Sequence, residues 1–180
     1  MIKQSGFSLI EVLAALMIFS VAIFGILAIF LKTGHASKDA YIRTHATTLL
    51  TSESEKVRFM NHAQKQSYTA TFIPLIQAVQ SDTPLMNYQK LAQAMNRPNC
   101  QTAVCRNTEF GKANAISAAH YAANEQAMII AQFCPHAPQS ICIIIAWGDT
   151  KPLIGSAKPA CINTKGQYHS GATCVYLESY

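Results

Sequence analysis

The sequence predicts an α+β protein in which one long N-terminal helix packs on a small antiparallel sheet within a disulfide-stabilised head. Three observations predict it. Residues Phe7 to Leu31 are predominantly apolar and carry one charge, Glu11. An amphipathic pattern follows, with no proline before Pro74. Three strand-like segments and all six cysteines lie in the second half of the chain.

As a helix, Phe7 to Leu31 would be about 37 Å long, against a hydrocarbon core of about 30 Å, so it is long enough to span a membrane. An ordinary secretory signal peptide fits it less well. The stretch exceeds a usual apolar signal core, Lys32-Thr33-Gly34-His35 offers no small-x-small cleavage site, and a carboxylate sits inside the run. A plain signal anchor leaves Glu11 unexplained. Inserting an acidic group costs roughly 2–3 kcal/mol near a helix centre and less toward its end. Such a group is retained when it finds a partner, and this helix contains no basic residue. The candidate partner is an α-amino group. A cut between Gly6 and Phe7 would place one four residues before Glu11, on the same helical face and at the positive end of the helix dipole. Between subunits, the amine of one chain would meet Glu11 of its neighbour and set their axial offset.

The stretch KQSGFSLIEVLAALMIF resembles the prepilin signature of type IV pilins and type II secretion pseudopilins. That signature is a short basic leader ending in Gly, then Phe, then an apolar run with Glu as its fifth residue. Lys3, Gly6, Phe7 and Glu11 match it. The resemblance implies cleavage after Gly6 by a prepilin peptidase and N-methylation of Phe7. It also implies that Glu11 helps to recruit the subunit among other pilins through the N-terminal helix. The chain then divides into a leader (1–6), a transmembrane and filament-core helix (7–32), its amphipathic continuation (33–62) and a head domain (63–180). Lys3 would lie on the inner, cytoplasmic side of the inner membrane and the head in the periplasm, before export to a pilus at the cell surface. Lys32 and Lys38 weaken the charge argument, so this orientation rests on the motif and the cysteines.

Beyond Gly34, Ala36, Ala40, Tyr41, Ala46, Leu49, Leu50, Val57 and Met60 recur at spacings of three, four and seven. Lys38, Asp39, Arg43, Glu53, Glu55 and Lys56 fall on the other, solvated face. One helix from about Phe7 to Asn61, about 80 Å long, would lay this stripe on the head. Gly25 either weakens the helix locally or lets another helix approach closely. His35, His45 and His62 read as exposed or capping side chains rather than metal ligands.

In the head, Thr83 and Pro84 open a short helix through TPLMNYQKLAQAMN. The stretch CQTAVCRN reads as a local cystine loop, and an Ala-rich helix follows from about Glu109 to Ala122. QAMIIAQFC, SICIIIAWGD and TCVYLESY read as strands of a three- or four-stranded sheet, with Ile143-Ile144-Ile145 buried on both faces. Pro152, Gly155, Pro159, Gly166 and Gly171 mark turns between the last two.

The order of the second half is similar to the PilV-type minor pilins, the type IV pilus modification family. A Cys pair precedes a helix, a strand carries Cys134, ICIIIAWGD carries Trp147 and Asp149, and Cys161 and Cys174 follow. The Asp and Trp that the family places in the helix before the sheet are not evident in GKANAISAAHYAANEQ. The resemblance favours a minor pilin over a secretion pseudopilin.

Six cysteines beyond a membrane segment suggest disulfides in an oxidising compartment, among fifteen connectivities. Local spacing favours Cys100–Cys105, Cys134–Cys142 and Cys161–Cys174, each stabilising by about 2–3 kcal/mol on a loop-entropy argument. The spacings do not suit zinc, and with no Cys-x-x-Cys they do not suit a redox motif. No cofactor or metal is expected. The acidic residues of the head, Asp82, Glu109, Glu125, Asp149 and Glu178, form no spaced pair with an obvious base. There is no Gly-x-Ser-x-Gly elbow and no phosphate-binding glycine motif. His136 after Cys134-Pro135 reads as an exposed neighbour of a disulfide. The reading is therefore a structural subunit and not an enzyme, taking part in type IV pilus assembly. The alternatives are a type II secretion minor pseudopilin and a tip-located adhesin or DNA-binding subunit. The net charge of +5 comes from scattered residues, which gives nucleic acid only slight support as a partner.

Overall fold

A computed structural model describes residues 9–100 and 102–180, apart from the His35 side chain. The elements are α1 (Leu9–Arg58), α2 (His62–Thr71), α3 (Ile73–Ala78), α4 (Pro84–Ala94), α5 (Asn107–Asn124), β1 (Ala127–Cys134), β2 (Ala137–Trp147), β3 (Lys151–Ile154), β4 (Ala160–Ile162) and β5 (Cys174–Ser179). The chain divides into two compact units, Met1–Tyr41 and Ile42–Tyr180.

In the first unit, α1 exposes its large apolar side chains, among them Ile10, Phe19, Phe24 and Phe30. Its most apolar window has a mean hydropathy of 2.8, so by length and composition the helix is able to cross a membrane. Ser20 and Thr33 donate their hydroxyls to the carbonyls of Leu16 and Ile29, at 2.7 and 2.9 Å. These two polar groups are thus satisfied within the helix, as a lipid environment requires.

In the second unit, Ile42, Ala46, Leu49, Leu50 and Val57 of α1 join one core with Met128 to Ala131, Ile141, Ile143, Ile145, Trp147 and Val175. The buried stripe starts later than its sequence pattern, because Ala36, Ala40 and Tyr41 are exposed. Glu53, expected on the solvated face, is fully buried. After α1, Asn61 caps α2. Its Oδ1 accepts from Gln64 N at 3.0 Å, and its own N–H donates to Gln64 Oε1 at 2.9 Å. Neither α2 nor α3 is expected from the sequence. Pro84 stands in the first turn of α4 as expected, but the Thr83 side chain makes no capping hydrogen bond. The Ala-rich run forms α5, which lies so close to α2 that a Cβ on Gly111 would collide with the Gln64 carbonyl.

β1, β2 and β5 form an antiparallel sheet in the order β1-β2-β5. Side-chain alternation gives β2 two buried faces. Ile141, Ile143, Ile145 and Trp147 enter the main core, whereas Ile144 packs on Cys161, Ile162, Ile154, Cys174 and Tyr176. That second cluster is supplied by β3 and β4, a small parallel pair. Pro152, expected to mark a turn, lies within β3. Disulfides join Cys100 to Cys105, Cys134 to Cys142 and Cys161 to Cys174.

Candidate assembly site

Gly6 and Phe7 lie outside the described residues. Glu11 stands in the first turn of α1, where a carboxylate is favoured by the helix dipole. It is exposed amid apolar side chains and makes no hydrogen bond or ion pair among the described residues. Its neighbours Ile10 and Val12 are exposed as well. Gly25 and Gly34 have open space where a Cβ would stand. The chemistry available here is lateral: an apolar surface with one carboxylate, complementary to another apolar helix that brings a cation.

The head contains two polar clusters that the sequence does not announce. In the first, Glu53 accepts from the Tyr68 hydroxyl at 2.9 Å and from Lys56 Nζ at 2.6 Å. Burial, and then the Glu53 carboxylate, push the Tyr68 hydroxyl well above the ordinary tyrosine range. A cavity of about 310 Å³ beside it is lined by Leu49, Ser52, Glu53, Lys56, Ala118 and Tyr121. In the second, Glu178 of β5 accepts from the Tyr176 hydroxyl, and His136 Nε2 lies 2.7 Å from the same carboxylate oxygen. The Tyr176 bond, then His136, hold Glu178 below the usual carboxylate range despite partial burial. The sequence expectation that no acidic residue of the head pairs with a base is therefore corrected. Glu178 and His136 are forty-two residues apart and meet only because β2 brings the β1–β2 turn beside β5. Cys134 and Cys142 lie near Glu178, but both sulfurs are consumed by their disulfide and supply no thiolate to a metal. Trp147 closes the core at the end of β2, and Asp149 is exposed in the turn beyond it. Neither cluster would have been found from spacing, because each joins separate elements.

No curated protein and no solved structure matches the chain. One family model does match: residues 1–27 fit the prokaryotic N-terminal methylation motif. That leader implies processing by a prepilin peptidase and assembly with other pilins, and with the apolar α1 it fits a membrane-anchored protein. The N-terminus of this chain thus carries the leader of type IV pilin-like and pseudopilin proteins.

Proposed function

We propose that this protein is a minor pilin, a non-catalytic structural subunit of the PilV type. It is cut after Gly6, methylated on the Phe7 amine and held in the inner membrane by α1. Its head faces the periplasm, and the subunit takes part in type IV pilus assembly. Glu11 carries the reading: a carboxylate within a membrane-length apolar helix, four residues beyond Phe7, with no partner among the described residues. Pairing with the Phe7 amine of a neighbouring chain would neutralise two charges only at one axial offset, which makes it a register device. The three disulfides support an oxidising location for the head. A type II secretion pseudopilin would use the same mechanics, and the matched motif suits both.

The test is the intact mass and N-terminal sequence of the unreduced protein purified from membranes. The expected species begins at N-methyl-Phe7 and is two hydrogens lighter for each disulfide. A chain that begins at Met1 with free thiols would overturn the proposal.

A further inference from the structure

We propose that the reduced chain, before Cys134 and Cys142 are joined, holds one zinc ion between Cys134, Cys142, His136 and Glu178, and that forming the disulfide releases it. The placement of four donor groups carries the inference. Cys142 of β2 and Glu178 of β5 are direct partners in the sheet register, so their side chains stand side by side on one face. Cys134 ends β1, opposite the start of β2. The ligand atoms of Cys134, Cys142 and Glu178 lie within 4.8 Å of one another. His136, in the turn between β1 and β2, brings Nε2 to 2.7 Å from Glu178 Oε1.

Zinc takes thiolate sulfur at about 2.3 Å and imidazole nitrogen or carboxylate oxygen at about 2.0–2.2 Å, so tetrahedral donors stand about 3.3–3.8 Å apart. The four groups need only small shifts to reach that spacing once the sulfurs part. Two thiolates, an imidazole and a carboxylate suit zinc, whereas calcium and magnesium take oxygen donors. The Tyr176 hydroxyl donates to Glu178 and lies 3.5 Å from Cys142 Sγ, so it orients a ligand from outside the set. The hairpin does not rest on its disulfide alone: Gln132↔Cys142 and Phe133↔Ile141 are backbone pairs, and Ile141 and Ile143 are anchored in the main core. His136 is exposed, which leaves the metal a way in from solvent. Among the described residues, Cys134 and Cys142 are the cysteines that fall in such a group. Cys161, by contrast, packs in the apolar cluster of Ile144 and Ile162.

The chain is synthesised with six thiols, which allow fifteen connectivities. Zinc on Cys134 and Cys142 leaves four thiols and three connectivities. The metal thus holds this pair together until the disulfide of an oxidoreductase takes up the electron pair. One cysteine thiolate attacks that disulfide and expels a thiolate, and the second attacks the mixed disulfide. The Cys134–Cys142 bond forms, the oxidoreductase leaves as a dithiol after taking two protons from solvent, and Zn²⁺ departs.

The experiment titrates the phosphine-reduced full chain, in detergent micelles without oxygen, with cobalt(II) as the spectroscopic probe and then displaces it with zinc. It does not depend on the pilin reading. The expected result is one cobalt per chain, with thiolate-to-cobalt charge transfer and tetrahedral ligand-field bands in the reduced chain and neither in the oxidised one. Cys142→Ser weakens the charge-transfer band, and Cys100→Ser leaves it in place. His136→Ala and Glu178→Gln each weaken binding by at least about tenfold. If the reduced chain folds only with metal, binding and folding become one event and the same variants decide. No cobalt–thiolate band at millimolar cobalt, an undiminished band in Cys142→Ser, its loss in Cys100→Ser, unchanged binding by His136→Ala or Glu178→Gln, or equal binding by the oxidised chain would overturn the proposal.

Discussion

Tyr68 of α2 donates its hydroxyl to Glu53 of α1 at 2.9 Å, and both residues are fully buried. The bond ties the helix that carries Glu11 to a helix of the head. It also satisfies a carboxylate that would otherwise rely on Lys56 alone. Tyr68→Phe keeps the ring and removes the bond, so it should destabilise the head by about 2 kcal/mol. Urea unfolding in detergent with disulfides intact measures this, and an unchanged midpoint would show that the bond contributes nothing.

Tyr68 and Tyr88 should contribute to a loss of stability at alkaline pH. Burial raises both hydroxyls above the ordinary tyrosine range. The folded chain then keeps protons that the unfolded chain loses above about pH 10, so stability is full below that pH and falls as pH rises. The slope should approach about 1.4 kcal/mol per pH unit for each tyrosine, and Tyr68→Phe should remove one share. Unfolding free energies between pH 9 and pH 11 test it (roughly the window in which free tyrosine ionises).

At the acid end the sign reverses for Glu178. Its folded carboxyl is held low by Tyr176 and His136. The stability it contributes is present above the ordinary carboxylate range, about 4.3, and is lost as pH falls through the depressed value. Glu178→Gln should flatten the acid limb of the stability curve while the neutral region changes by about 1 kcal/mol. An acid limb identical to that of the parent chain would remove Glu178 from this role.

Gly111 tests the packing of α2 on α5. Its missing Cβ makes room for the Gln64 carbonyl, and the neighbouring Ser67 hydroxyl donates to Thr108 O at 2.6 Å. Gly111→Ala would raise helix propensity by about 1 kcal/mol yet force the helices apart. The clash should win, with a net loss of about 1–3 kcal/mol by thermal or urea unfolding.

Glu11 tests assembly itself. Glu11→Ala should leave the protein in the membrane, since it makes the helix more apolar. It should also remove the protein from sheared filaments. Immunoblots of both fractions measure the split, and normal incorporation of the variant would refute the pairing role.

Elements with a strong internal pattern were legible in the sequence. The apolar run, the stripe through Leu49 and Val57, the Ala-rich run and the Ile143–Ile145 strand each carry their own periodicity. Each pattern marks its element without reference to the rest of the chain, and Leu49, Val57, Ala115 and Ile143 to Ile145 are buried whereas the apolar run is exposed along α1. Helices α2 and α3 were not legible, because Tyr68, Thr69, Thr71 and Phe72 favour strands as readily as helices. The capping box from Asn61 to Gln64 was a readable signal for α2. The parallel pairing of β3 with β4 has no periodic trace over so few residues.

By itself the sequence determined the membrane-length helix, the leader motif, the α+β class and the supply of cysteines for the head. Each depends on composition or on spacings of a few residues along one element. Only the tertiary structure decided that Glu53 is buried rather than solvated, that His136 reaches Glu178, and that Tyr88 closes the β1 edge of the sheet. Those outcomes turn on which distant backbone and side-chain groups meet. A polar group buried by one element must find its partner on another, and local sequence does not say which.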